Sequence, residues 1–427
     1  VSARQPDDAL ACRIRAAIPL LADAEGAAPV AYLDNAATMQ MPRPVMDALE
    51  AFRTTSYANV HRGVHSLSLA ASDAFDGARR AVAAFIGADE QEVVFTSGAT
   101  DALNRAARML APALDERSNI VVSGLEHHSN LLPWRHLSRI TDCELRVVPP
   151  DARGALDLSA FLQEVTENTR IVALTELSNV TGIGCDLAAL SAVVHEGSDA
   201  LIVADGAQGI VHGRRSVRDL GCDLYAFSGH KLGAPCGIGV LWIAARVQER
   251  LEPESFGGGT VSEVTEKETR LLGSVERFEA GTPNIDGAVG LAAALRFWEG
   301  FDAAALLAHE DALLARLEAG LTLIEGANVL GSCPARHGCL AFSVDKGSPY
   351  DWAKIADGRG VAVRSGHHCA QPYLRALGCD AAVRVSVAPY NTAGDIDRAL
   401  AAFETASCLL KGGGCGGHAL CRERHTR

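Results

Sequence analysis

The sequence predicts an α/β protein: a mostly parallel, seven-stranded sheet makes up the larger part, and a smaller α+β module follows it. Three observations lead there. Seven short β-branched runs fall between residues 91 and 243, at Val93–Phe95, Ile120–Val122, Leu145–Val148, Ile171–Leu174, Leu201–Ala204, Leu224–Phe227 and Ile238–Leu241. Amphipathic stretches of helical period separate several of them, at Asp101–Leu110, Leu158–Val165 and Leu187–His195. The runs are apolar on both faces, as expected of strands covered on each side by helices.

Each later element follows in order. After Gly257-Gly258-Gly259 the charged segment Glu263–Arg277 has no clear period and predicts an ordered surface excursion or hairpin. Helical periodicity returns from Ile285 to about Leu323. Strands are expected at Leu340–Val344, Val361–Arg364 and Val383–Val387, mixed with helices up to about Leu410. The expected division is a large domain at 34–295, a small domain made of 1–33 and 296–410, and a flexible Gly-rich tail at 411–427. Within that tail Cys415, His418, Cys421 and His425 are metal-ligand types. Their spacing is cramped for one tetrahedral ion and no core surrounds them, so no metal site is expected.

Composition narrows the function classes. The 427 residues are 48% hydrophobic and 21% charged, enough for a substantial core. Lys+Arg number 39 against 52 Asp+Glu, a net charge of −13, which argues against a nucleic-acid partner. The twelve cysteines are irregularly spaced, unlike a disulfide framework, which suits a reducing compartment. No apolar run reaches the length of a membrane span, and Asp7, Asp8, Asp23 and Glu25 break any signal-peptide layout. The expectation is a cytoplasmic protein acting on a small molecule.

In such sheets ligands gather at the carboxyl ends of the strands. Thr96-Ser97-Gly98-Ala99-Thr100 follows the first strand and opens a helix, whose N-terminal N–H groups suit a phosphate; the bland alternative is an ordinary turn. Asp205 ends the fifth strand, either facing a ligand or capping the next helix. Lys231 follows the sixth strand, where partial desolvation lowers an amine's pKa and allows a Schiff base; a surface lysine is the alternative. Together these parts fit pyridoxal 5′-phosphate, which needs phosphate donors, a carboxylate at its pyridine nitrogen and a lysine. Glu126-His127-His128-Ser129-Asn130 adds an imidazole for the ring face.

At this point the residues match a known family. The chain resembles the class V, fold-type I pyridoxal-phosphate enzymes, and more narrowly the group II cysteine desulfurases of the SufS/CsdA type. The matching strings are "YLDNAAT" at Tyr32, "NVHRGVHSLS" at Asn59, "FTSGATDALN" at Phe95, "EHHSNLLPW" at Glu126 and "SNVTG" at Ser178. They continue with "DGAQ" at Asp205, "FSGHKLGAPCGIGVLW" at Phe227, "RFEAGTPN" at Arg277, "RSGHHCAQP" at Arg364 and "RVSVAPYNT" at Arg384.

The resemblance implies roles. Lys231 would anchor the cofactor and serve as base, Asp205 would meet the pyridine nitrogen, Gln208 the ring hydroxyl, and His127 would stack on the ring and shuttle protons. Gly98, Ala99, Thr100, Ser228 and His230 would form the phosphate cradle; Ala99 stands where some relatives carry Thr, losing a hydroxyl but keeping a backbone donor. Thr282 would reach the phosphate of a neighbouring subunit, implying a homodimer with shared sites. Asn179, Arg364 and Arg384 would bind substrate, the first and last through its α-carboxylate, and His61 and Arg62 would line the entrance.

Cys369 would be the nucleophile, taking sulfur from L-cysteine as a persulfide and leaving L-alanine. Its setting, Arg364-Ser365-Gly366-His367-His368-Cys369, favours thiolate, whereas the other cysteines read as structural. The short segment lacks the longer Cys-bearing loop of group I enzymes. Relatives served by a SufU-type acceptor have a His nineteen residues before the Cys; here that position is Tyr350, which favours a SufE-type acceptor. The expected role is sulfur supply for iron–sulfur cluster assembly or other sulfur trafficking. Selenocysteine lyase activity on the same scaffold is the first alternative, and a non-catalytic sulfur-relay or scaffold protein the second.

Overall fold

Alternating apolar runs and capped helices build the expected sheet. In the computed structural model, which describes residues 5–22, 30–213, 216–333 and 336–410, a two-residue strand β1 (Ala31–Tyr32) precedes the main sheet. That sheet comprises β2 (Val93–Thr96), β3 (Asn119–Ser123), β4 (Glu144–Val148), β5 (Thr169–Thr175), β6 (Leu201–Asp205), β7 (Leu224–Ser228) and β8 (Gly239–Ile243). Their spatial order is β2-β8-β7-β6-β5-β3-β4. Neighbours from β7 through β4 run parallel, while β8 is antiparallel to both β7 and β2. The sheet is therefore mostly parallel, and strands β2, β3, β6, β7 and β8 are buried along their whole length.

The helices around the sheet begin at chemically marked positions. Asp157, Asp186, Asn284 and Asp302 each accept a backbone N–H from the first turn that follows, and Ser348 forms a capping box with Asp351. The expected excursion is a hairpin of β9 (Val261–Val264) and β10 (Thr269–Leu271), largely exposed. Two helices, Ile285–Glu299 and Ala303–Leu321, fill the predicted helical region.

The second module holds β11 (Ala327–Val329), β12 (Cys339–Val344), β13 (Val361–Ala362), β14 (Arg364–Gly366) and β15 (Ala382–Ser386). Strands β11, β12, β15 and β14 form one antiparallel sheet, whereas β13 pairs in parallel with β1. The single strand expected at 361–364 is thus two, because the chain changes sheets at Val363. The 411–427 tail lies outside the described residues.

One apolar core runs from Val45 to Leu295 around the large sheet. A second gathers Leu33, Leu317, Phe342, Trp352, Val385 and Phe403 under the small sheet. Leu125, Val180, Leu330, Tyr373 and Leu374 form a cluster joining the two. Among the described residues no helix is long and apolar enough to cross a membrane.

Candidate active site

The parallel strands deliver polar residues to one edge. Ser123, Thr175, Asp205 and Ser228 are the last residues of β3, β5, β6 and β7. A cavity of about 300 Å³ opens there, lined by Thr100, His127, Asn179, Asp205, Gln208, Ser228, His230, Lys231, Arg364, Cys369 and Arg384 among others. With Ala99, twelve residues singled out in the sequence thus come together from seven stretches of chain.

At one end lies a cradle for an anion. Helix Ala99–Leu110 starts after Gly98, which has no side chain to cap it, so its dipole and the N–H groups beyond Ala99 face a ligand. Gly98 (φ 154°, ψ 175°) occupies backbone space that suits glycine. The Ala99 N–H, expected as a free donor, is taken by Ser228 Oγ at 2.7 Å, which ties the helix start to β7. The turn also presses on β8: a Cβ on Gly239 would stand 2.4 Å from Gly98 Cα and 2.7 Å from Phe227 O. Both are backbone atoms and cannot yield cheaply. Gly239→Ala is expected to push the turn outward and weaken cofactor binding roughly tenfold, the order of one lost charge-assisted hydrogen bond; titrating the apoprotein with cofactor measures it.

Deeper in, Asp205 is buried and accepts the Ala207 N–H at 2.9 Å. Burial raises its pKa while the nearby Lys231 charge pulls it back. Burial also lowers Lys231, to about 8, with Arg384 adding to the fall and Asp205 opposing it. The sign is clear: a depressed amine pKa means more neutral, nucleophilic amine at a given pH. Condensation of the apoprotein with an aldehyde should therefore gain rate as pH rises through about 8. An inflection near the ordinary lysine value of 10.5 would contradict the burial argument.

His127 stands beside this pair. Its Nδ1 accepts the Ser129 N–H at 3.1 Å, which leaves the ring proton on Nε2. Burial, then the Lys231, His128 and Arg384 charges, lower its pKa to about 3, so the ring is neutral when it meets a cofactor. Ser129 Oγ lies 3.0 Å from Nδ1 and 2.7 Å from Thr100 Oγ1, linking the imidazole to the cradle. Gln208 Nε2 donates to Ala36 O at 2.9 Å, fixing the amide at the cavity wall.

The opposite wall comes from the small sheet. Arg384, on β15, donates to Asn179 O and Asp34 Oδ1, each at 3.0 Å. Arg364, on β14, also reaches Asp34, which raises its pKa. Cys369 is exposed and follows His368 in left-handed backbone, with φ of 53° and 48°. The turn is tethered: His128 N–H donates to Cys369 O at 2.7 Å, Asn179 Nδ2 to His368 O at 2.9 Å, and Cys369 N–H to His367 Nδ1 at 3.2 Å.

Three expected site residues lie apart. His61 packs edge-on against Phe75, Arg62 lies beside the hairpin with Phe256 and Val264, and Thr282 is exposed. None of them lines the cavity of its own chain. The segment carrying Thr282 is nonetheless held, because Glu279 pairs with buried Arg79 at 2.7 Å and accepts the Phe95 N–H at 2.6 Å.

The sequence reading also missed partners. Asp34 sits between the two arginines. Buried Glu126, pushed up to about 8 by burial, accepts from Thr175 N–H at 2.8 Å and Asn130 Nδ2 at 2.7 Å behind the cavity. Both fall inside strings already noted as motifs, which was the only available signal.

The residues present fit pyridoxal 5′-phosphate. A glycine turn at a helix N-terminus, a buried carboxylate, an amine of lowered pKa and a neutral imidazole share one cavity. No group of His, Cys, Asp and Glu among the described residues is arranged to hold a metal ion.

Comparison with known proteins agrees with this geometry. The family described as Aminotransferase class-V matches residues 31–399. A probable cysteine desulfurase of Vibrio cholerae is 40% identical over 399 residues, covering 93% of this chain and 98% of that protein. One from Pseudomonas putida is 42% identical over 381 residues, covering 89% and 94%. Among solved structures, the cysteine desulfurase CsdA of Escherichia coli superposes with a TM-score of 0.85 at 35% identity, covering 94% of this chain and 99% of that one. The apo cysteine desulfurase of Thermococcus onnurineus gives 0.89 at 35%, covering 96% and 100%.

Proposed function

Since the chain belongs to the class-V aminotransferase family, and within it to the cysteine desulfurases, we propose a residue-level account of how its cavity converts L-cysteine to L-alanine and a protein-bound persulfide. The observation that carries it is the meeting of Lys231, Asp205, His127, Arg384 and Cys369 around one cavity.

Enzymes of this family depend on pyridoxal 5′-phosphate, which when bound supplies an electron sink for the pair released at the substrate Cα. Lys231 would be its covalent anchor, Asp205 would hold a proton at the pyridine nitrogen, and Gln208 would meet the ring hydroxyl. Gly98, Ala99, Thr100, Ser228 and His230 would surround the phosphate, and His127 would face the ring. Arg384 and Asn179 orient the substrate by its α-carboxylate, with Arg364 beside them at the cavity mouth. Lys231, as the free amine, would take the Cα proton. Cys369 Sγ attacks the substrate sulfur, the Cβ–S bond breaks, and protonation completes alanine. The balance is L-cysteine plus the Cys369 thiol giving L-alanine plus the Cys369 persulfide.

The account extends to organisation. The division at 34–295 against 1–33 and 296–410 places Lys231 and Asp205 on one domain and Cys369 and Arg384 on the other. A homodimer would bring Thr282, and with it His61 and Arg62, to the partner's cavity. The absence of His at Tyr350 favours a SufE-type acceptor over a zinc-bound one, and iron–sulfur cluster assembly or related sulfur trafficking in the cytoplasm is the role such an acceptor serves.

The test is alanine formation from L-cysteine by the cofactor-loaded protein, with persulfide counted on the protein in the first turnover. One alanine per persulfide is the expected result. Alanine formed from L-selenocysteine without dependence on Cys369 would favour the lyase reading.

A further inference from the structure

We propose that Asp34 is a positioning residue that sets the arginine pair for a single substrate carboxylate, an inference that rests on reading Arg384 as the carboxylate site. Arg364 and Arg384 are direct partners across the antiparallel strands β14 and β15. Like charges placed opposite one another repel, and the Arg384 side chain is only 3% exposed, where an unpaired charge is costly.

Asp34 resolves both problems. Its Oδ1 accepts Arg384 Nη2 at 3.0 Å and Arg364 Nε at 3.1 Å, and its Oδ2 accepts Arg364 Nε at 3.0 Å and Nη2 at 2.9 Å. The backbone beneath it is fixed by a bridge to Ser386 and by Asn35, whose Nδ2 donates to Ser386 O at 2.7 Å. The clamp holds one edge of Arg364 and leaves Nη1 without a protein partner among the described residues. Two guanidinium charges and one carboxylate sum to a single net positive charge at the cavity wall, matching one α-carboxylate.

The role makes this set a filter for amino acids over amines. Freed of Asp34, Arg364 regains rotational freedom that substrate binding must remove again. The test is steady-state kinetics of the Asp34→Asn holoenzyme, with cysteamine, which lacks the carboxylate, as a competing ligand. KM for L-cysteine is expected to rise roughly tenfold, the order of one lost charge-assisted hydrogen bond, with kcat changed less than about twofold and cysteamine inhibition unchanged. Equal weakening of L-cysteine and cysteamine would show a merely structural role and overturn the proposal.

If Asp34→Asn does not fold, Asp34→Glu moves the oxygens by one methylene while keeping the charge. It is expected to show the same split at smaller size, and equal losses for both ligands would again overturn the proposal. Arg384→Gln separates the two ideas. If it raises KM and Asp34→Asn does not, the Asp34 inference fails alone; if neither raises KM, the carboxylate reading fails with it.

Discussion

Lys231→Ala is expected to lower alanine formation at least about a thousandfold, because it removes both the covalent anchor and the base at Cα. Lys231 is the sole amine among the residues lining the cavity, and its pKa of about 8 makes it a usable base near neutral pH. Lys231→Arg separates charge from base. A guanidinium keeps the positive charge beside Asp205 but does not release its proton in this range, so it should be as inactive as the alanine variant. Single-turnover alanine assays with saturating cofactor measure both. Partial recovery of the alanine variant by added methylamine would identify the missing function as an amine. An arginine variant with near-normal rate would mean that charge alone is needed and would remove the base assignment.

Cys369→Ser is expected to abolish persulfide formation and to reduce alanine turnover roughly a hundredfold or more, while leaving cofactor absorbance unchanged. Access sets Cys369 apart. Cys369 is exposed and lines the cavity. Elsewhere burial works against reactivity: it pushes the Cys185 thiol up to about 12 and raises those of Cys222 and Cys339. Thiols held protonated are poor nucleophiles. Cys236 is exposed but lies outside the cavity lining, so Cys236→Ser should retain normal turnover and serves as the control. Full alanine turnover in Cys369→Ser would mean that sulfur leaves without covalent storage.

The contrast between what the sequence showed and what it hid has a physical pattern. Strands of the large sheet were legible to within two residues, most of them because burial on both faces enforces continuous apolar runs; edge strand β4 is largely unburied and was found from its β-branched run alone. Asp205 and Lys231 were legible because a strand end is a local feature. The strand Ala327–Val329 was not, since three residues, none of them buried, carry no periodic signal. Nor was Asp34, whose two arginine partners lie 330 and 350 positions away. A carboxylate between two guanidiniums is a product of topology, and no local pattern announces it. His61, Arg62 and Thr282 are a different case: their motifs stood out in the sequence, yet their own chain does not bring them to its cavity.

The left-handed turn at His368 and Cys369 bears on how sulfur leaves the enzyme. Two successive non-glycine residues in that conformation carry strain on the order of 1–3 kcal/mol each, and three tethers hold them there. Such a turn has little slack, so a persulfide carried on Cys369, as proposed, would sweep only the small arc allowed by rotation about its own side-chain bonds. On the proposed function, an acceptor would have to bring its own thiol to this turn at the cavity, because the turn has no long arm with which to reach out.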